Sequence, residues 1–287
     1  MDHVILDVVQ WCVSGFHASS PSPYEHGQQV CRACFGDAGL GWNSEQTQEF
    51  AAGRRRWRLR ANPGYWGSSA PEVLVLGFSK GPNQDKKIAA GAAFEEVPFA
   101  GMRGDLRRLL AAVGLVGPDE DMDSLFFCTE RRFGFASLVR CSVAIWARNS
   151  KKEFDWIGTG GNIIGQTVMA EPAFVTTCIA RHLAAGLPAS VKLMVLLGSA
   201  EKNVLSIMRA LGGEPICPGA GTHYAYRALG CTVVHLPHPA GGNRDSIKAF
   251  CNGASDSQRD AGTLECRRQV LPAVVAALSD GTERRGS

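Results

Sequence analysis

Three short, mostly apolar runs, the first two uninterrupted and each closed by glycine or proline, constrain this chain more than any other feature. Val73-Leu74-Val75-Leu76 stops at Gly77, Leu193–Leu197 at Gly198, and Cys231–Leu236 at Pro237-His238-Pro239. A strand that is apolar at every position has no face left for water, so it belongs in a parallel sheet covered on both sides. Between these runs lie stretches with helical spacing. Leu106, Leu109, Leu110 and Val113 recur every three or four residues within Asp105–Val113, with Gly114 as a stop. Ala173–Ala185, Ala200–Leu211 and Leu264–Leu278 read as further helices, and Leu125–Cys128 and Ser137–Ala144 as short strand-like pieces.

Strands alternating with helices predict an α/β fold: a three-layer α/β/α sandwich around a central, mostly parallel four-stranded sheet. One domain spanning 1–287 accommodates it. Residues 1–30 read as a helix followed by a loop. Residues 41–70, rich in Gly, Arg, Trp and Ser without a clear period, and residues 145–168 read as insertions, and 280–287 as a frayed end. In open α/β sheets, ligands bind beyond the carboxyl ends of the strands. That rule puts Gly77–Asp85, the loop at Gly198 and His238–Arg244 on one rim.

Hydrophobic residues make up 45% and charged residues 20% of the chain, enough for a sizeable core. No apolar run reaches the ~18 residues of a membrane span, and Met1–Val9 lacks the basic start and cleavage site of a secretory signal. A cytoplasmic protein that does not engage membranes is expected. The net charge of +3 is too small to name a partner. Its distribution says more: Arg54, Arg55, Arg56, Arg58 and Arg60 surround Trp57, a run suited either to phosphates and a stacked base or to a plain solvated loop or helix face.

Ten cysteines without an export signal point to metal binding or free thiols rather than a disulfide framework. Cys31-Arg32-Ala33-Cys34 is a CxxC, whose turn lets two thiolates face one metal. Spacing alone leaves its partners open among the other eight.

The segment Pro98-Phe99-Ala100-Gly101-Met102-Arg103-Gly104-Asp105-Leu106 resembles the PFxGxxGxxL segment of the bacterial and archaeal iron–sulfur uracil-DNA glycosylases. Other features resemble that family in the same order: the CxxC, the strand and loop Gly77-Phe78-Ser79-Lys80-Gly81-Pro82-Asn83-Gln84-Asp85, the strand ending in Cys141, the helical Cys178, the strand ending in Leu197-Gly198, and His238-Pro239-Ala240-Gly241-Gly242-Asn243-Arg244. The resemblance covers roughly residues 28–250.

It implies that Cys31, Cys34, Cys141 and Cys178 ligate a [4Fe–4S] cluster, with structural zinc as the alternative and the other six cysteines free. The stretch between Cys141 and Cys178 is longer than the family's. The resemblance further implies that Phe99 stacks on a flipped base, that His238 hydrogen-bonds the leaving base, and that the Gly77–Asp85 loop touches sugar and water. Four positions depart from the pattern: Phe78 replaces a Glu, Ser79 a water-activating Asp, Lys80 a Pro, and Ser137 the Asn that reads the uracil edge. Asp85 is the nearest remaining carboxylate and becomes the expected water-positioning group, with Ser79, Asn83 and Gln84 as polar neighbours. Asn243, Arg244, Arg55 and Arg56 are expected on DNA. The implied protein is a monomeric, nucleoid-associated hydrolase that cleaves uracil from single- or double-stranded DNA. The alternatives are a non-catalytic binder of uracil or abasic DNA, a glycosylase for another deaminated base, or a zinc-stabilised protein acting on a nucleotide.

Overall fold

The computed structural model describes residues 22–36, 46–158, 162–216, 223–255 and 257–279. The start of the chain, where the first helix is expected, and the end at 280–287 lie outside these residues. In chain order the elements are β1 (Gly27–Gln28), β2 (Thr47–Ala52), β3 (Arg55–Arg60), β4 (Gly64–Gly67), β5 (Val73–Gly77), α1 (Pro82–Ala89), α2 (Arg103–Ala112), β6 (Phe133–Ser137), β7 (Ser142–Arg148), β8 (Phe154–Gly158), α3 (Asn162–Ala170), α4 (Ala173–Ile179), β9 (Leu193–Leu197), α5 (Glu201–Ala210), β10 (Glu214–Pro215), β11 (Ala225–Ala228), β12 (Cys231–Leu236), α6 (Arg244–Asn252) and α7 (Ala261–Ser279).

The three apolar runs are strands β5, β9 and β12, and they pair in parallel, with Val75 opposite Val195 and Val195 opposite Val234. The sheet is larger than the four strands expected: its order is β1-β4-β6-β5-β9-β12-β11-β10. Only the middle four, β6, β5, β9 and β12, are mutually parallel; the outer strands add antiparallel edges. Strand β6 escapes the sequence reading because Phe133-Gly134-Phe135-Ala136-Ser137 is not a continuous apolar run. Leu125–Cys128, read as strand-like, is instead a 3₁₀ turn at Ser124–Phe126 that buries Leu125 and Phe126. The ring of Phe126 lies 4.6 Å from that of Phe135.

Alternate residues of the central strands feed two cores. Val73, Val75, Val195 and Leu236 pack with Leu106, Leu110, Phe250 and Val274 of α2, α6 and α7. Leu74, Leu76, Met194 and Val233 pack with Phe174 and Ile207 of α4 and α5. That second face also carries a four-stranded antiparallel sheet, β2-β3-β7-β8. It is built mostly from the two segments read as insertions, with β7 starting at Ser142 in the piece read as strand-like. The arginine run is strand β3, not a loop or helix face. Its period of two turns Trp57 and Leu59 into the core, fully buried, while Arg56, Arg58 and Arg60 face away. Trp57 therefore cannot stack a base; its indole N–H donates to Thr167 Oγ1 at 3.0 Å. Among the described residues, no helix is long and apolar enough to cross a membrane.

Candidate functional site

The four parallel strands end on one rim at Gly77, Ser137, Leu197 and Leu236, and the loops beyond them enclose a cleft of ≈ 1060 Å³. Gly77–Ser79, Asn83, Gln84, Leu197–Asn203 and Pro237-His238 line it, together with Phe99, Ser137 and Asn243. The three loops placed on one rim by sequence do converge there. Helix α3 adds Ile164 and Met169 to the wall, and Trp66 and Tyr224 complete it. None of these four belongs to a motif on the rim, so sequence gave no reason to single them out.

His238 has a defined tautomer. The Ala240 backbone N–H donates to Nδ1 at 3.2 Å, so Nδ1 carries a lone pair and the proton sits on Nε2. Burial lowers the pKa of this imidazole below the ordinary histidine value and keeps the ring neutral. Asn243 does not point away to solvent: its Nδ2 donates to the His238 carbonyl at 3.1 Å and ties the turn Gly241–Asn243 to the histidine. His235, unremarked in the sequence, is fully buried three residues earlier, inside β12. Its Nδ1 donates to Gly198 O at 2.9 Å and its Nε2 accepts from the Tyr226 hydroxyl at 3.0 Å. This fixes the Gly198 loop to β12.

Phe99 faces the same cleft with its backbone in the left-handed region, φ 53°. A bulky L-residue adopts that conformation at a cost of about 1–2 kcal/mol. The ring meets Phe135 at 6.2 Å and Phe126 at 6.1 Å, which hold it from behind. A Cβ on Gly77 would lie 3.7 Å from the Phe99 ring and 4.0 Å from Ser137 Oγ, so a glycine leaves that corner open. Phe78 and Ser79 both line the cleft, the first buried and the second half-buried. The Gln84 side chain caps α1, its Oε1 accepting from the Gly81 N–H at 3.1 Å.

Asp85 does not line the cleft. Its carboxylate accepts from Ser142 Oγ at 3.0 Å, Asn62 Nδ2 at 3.2 Å and Arg60 at 3.3 Å. These bonds join β3, α1 and β7, a structural role that removes Asp85 from the water-positioning place expected of it. The carboxylate among the described lining residues is Glu201, at the first turn of α5. The arginines separate as well. Arg55 reaches the cleft. Arg56 lies on the outer face of the second sheet, paired with Glu49 at 2.7 Å. Arg244 is exposed at the start of α6, next to the cleft residue Asn243.

Cys31, Cys34, Cys141 and Cys178 gather on the second-sheet side of the molecule. Cys34 feels the charge of Cys31 and Cys178, and Cys141 that of Cys178 and Cys31. Burial is the main cause that pushes the Cys34 and Cys141 thiols up to about 12 and raises Cys178 too. Beside them stands Arg140, fully buried between the rings of Tyr24 and Tyr65 at 5.7 and 5.6 Å. Among the described residues, none of its three guanidinium nitrogens has a hydrogen-bond partner. Lys80, also buried, donates from Nζ to the Arg140 carbonyl. Among the described residues, no three His, Cys, Asp or Glu side chains form a ready-made ion site as placed. Of the remaining cysteines, Cys231, Cys251 and Cys266 are free, whereas Cys128 is disulfide-bonded, against the expectation of a free thiol.

No family model matches this sequence, and no curated protein matches it. Among solved structures, this chain is similar to the crystal structure of wild-type Pedobacter heparinus SMUG2. The identity is 10% and the TM-score 0.35, over 73% of this chain and 76% of that chain. A similarity this distant assigns neither family nor activity.

Proposed function

We propose that this protein hydrolyses the bond between a deaminated base, uracil first, and deoxyribose in DNA. One observation carries the reading: on the rim of the parallel sheet, a neutral His238 with its proton on Nε2 shares a cleft with Phe99, whose ring is held there against its own backbone preference. Chemistry on a base inside a duplex needs the base turned out and held by stacking and edge hydrogen bonds. Phe99 supplies the stacking surface, and Ser137 a single hydrogen bond to the base edge.

As the C1′–N bond breaks, its electron pair goes to the base and negative charge collects on a base carbonyl oxygen. The Nε2–H of His238 meets that oxygen, a contribution of roughly 3–4 kcal/mol for one well-placed donor. Water adds its oxygen to C1′, and its proton balances the departing base. Ser79 and Asn83 line the cleft and would orient that water. With Asp85 engaged elsewhere, most of the rate in this reading comes from stabilising the leaving base rather than from a strong general base.

We further propose that Cys31, Cys34, Cys141 and Cys178 hold a metal group, an iron–sulfur cluster in the first instance and zinc as the alternative. The unpartnered Arg140 guanidinium supports it. Neutral thiols leave that buried charge uncompensated, at a cost of several kcal/mol, whereas metal-bound thiolates supply the missing anion. The group would hold the Cys31–Cys34 turn against β7 and α4.

The test of the activity is release of free base from single- and double-stranded oligonucleotides carrying uracil, hypoxanthine, xanthine or mismatched thymine. Release from none of them rejects the reading. Tight binding to uracil or abasic DNA without release would instead favour a binding module, the reading to which the absence of a carboxylate at positions 78 and 79 points.

A further inference from the structure

The second sheet turns a patterned face to solvent. Its register puts Arg58 of β3 opposite Ala144 of β7, and Trp146 and Arg148 of β7 opposite Trp156 and Phe154 of β8, while the Arg56 guanidinium lies 5.8 Å from the Trp146 centroid. Trp146 and Phe154 are 37% and 57% exposed, a costly way to display large rings on water. They are not scattered. Trp146 stacks with Phe154 at an interplanar angle of 19° and meets Trp156 at 5.3 Å. Guanidiniums interleave with the rings: Arg58 lies 4.2 Å from the Trp156 centroid, Arg56 5.7 Å from it, and Arg148 5.1 Å from Phe154. Glu49 bonds both Arg56 and Arg58 and fixes them over the indole. Arg60, at the end of the same row, is paired with Asp85.

We propose that this face is a stacking platform for an unpaired DNA strand. Rings offer π-faces to bases of any sequence, and guanidiniums offer charge to the phosphates between them. The position supports the assignment. β8 ends at Gly158, which packs directly on the cleft loop; a Cβ there would come within 2.6 Å of Pro82 Cγ. Pro82 lines the cleft, so the platform runs up to the cleft wall. The proposal rests on the base-release reading only for the direction in which the strand leads.

The experiment is fluorescence anisotropy with a labelled oligothymidylate, free and as a duplex, against wild-type protein and Trp146→Ala/Phe154→Ala. We expect single-strand binding tighter than duplex binding, quenching of tryptophan emission, and loss of at least about tenfold in affinity in the double variant. Arg148→Gln should reduce the steepness with which salt weakens binding. A folded double variant that binds as tightly as wild type, or a duplex bound as well as the single strand, overturns the proposal. If the double variant does not fold, Phe154→Ser, at the more exposed ring, and the quenching of wild-type emission decide. The oligonucleotide contains no uracil, so failure of the base-release assay would reject the cleft reading without touching this result.

Discussion

The Ala240 amide donates to Nδ1 of His238 at 3.2 Å and thereby decides which nitrogen of that ring can serve as a donor. A protonated ring would place an N–H against an N–H and lose the contact. His238→Ala should lower the single-turnover rate of base release by roughly 10²–10³-fold while leaving binding of abasic DNA within a few-fold. Because burial lowers this pKa, the rate should be flat through neutral pH and fall only below the usual histidine range. A rate that climbs on acidification would reject the neutral-donor assignment.

His235 makes stability depend on pH. Burial, partly opposed by its bond to Gly198, lowers its pKa from 6.5 to about 4. Below 6.5 the unfolded chain takes up a proton that the folded chain refuses, so stability falls between about 6.5 and 4, by about 3 kcal/mol from this residue. Denaturant midpoints across that range measure it. His235→Gln should flatten the dependence.

Asp85→Asn tests the division between scaffold and chemistry. The substitution weakens bonds to Arg60, Asn62 and Ser142 that join three elements. We expect a loss of about 1–2 kcal/mol in stability with base release within a few-fold of wild type. A large loss of rate in a stable variant would return Asp85 to the catalytic group.

Arg140→Met gives opposite signs for the two states of the cysteine site. Removing a buried unpaired cation should stabilise the protein, whereas removing the counter-charge of an anionic metal group should destabilise it. We expect a lower melting temperature and poorer retention of the metal group. Protein purified without oxygen should be brown and contain iron and sulfide, and Cys31→Ser should be insoluble. A colourless wild-type protein containing zinc selects the alternative; soluble, folded Cys31→Ser removes the structural role.

Phe99→Ala should cost activity more than stability. The ring is lost from the cleft wall, with a drop in kcat/KM of about tenfold or more by the scale of base stacking. A parallel thermal melt should move less than usual for a buried Phe→Ala change, because one side of the ring borders the cleft rather than packed core. A large melting shift with unchanged kcat/KM would mark Phe99 as packing only.

The parallel core was readable because β5 and β9 carry no polar residue, a pattern that only a doubly covered strand tolerates, and because β12 is interrupted only by Thr232 and His235. The rim followed from the same strands, since their ends are marked by Gly77, Gly198 and Pro237. The second sheet was not readable. Trp57 and Leu59 alternate with arginines, and a run of basic residues hides a period of two when one of its inward residues is a tryptophan. The place of Asp85 was hidden for another reason. Its partners Asn62 and Ser142 stand in separate elements and carry no motif, so only the folded chain shows that the carboxylate is already engaged. His235 lies inside an apolar strand, where sequence offers no sign of its two hydrogen bonds.

Ile164 and Met169 reach the cleft from α3, outside the parallel sheet that carries His238, Ser137 and Gly77. The wall opposite the strand ends is thus a separable part. Met169, more than half exposed on that helix, is the side chain whose bulk can change with least effect on the core, whereas Ile164 also packs against it. Selection for a larger or smaller occupant of the cleft would act first on that side of the wall, making the helix the place where a change of ligand is easiest to evolve or to engineer.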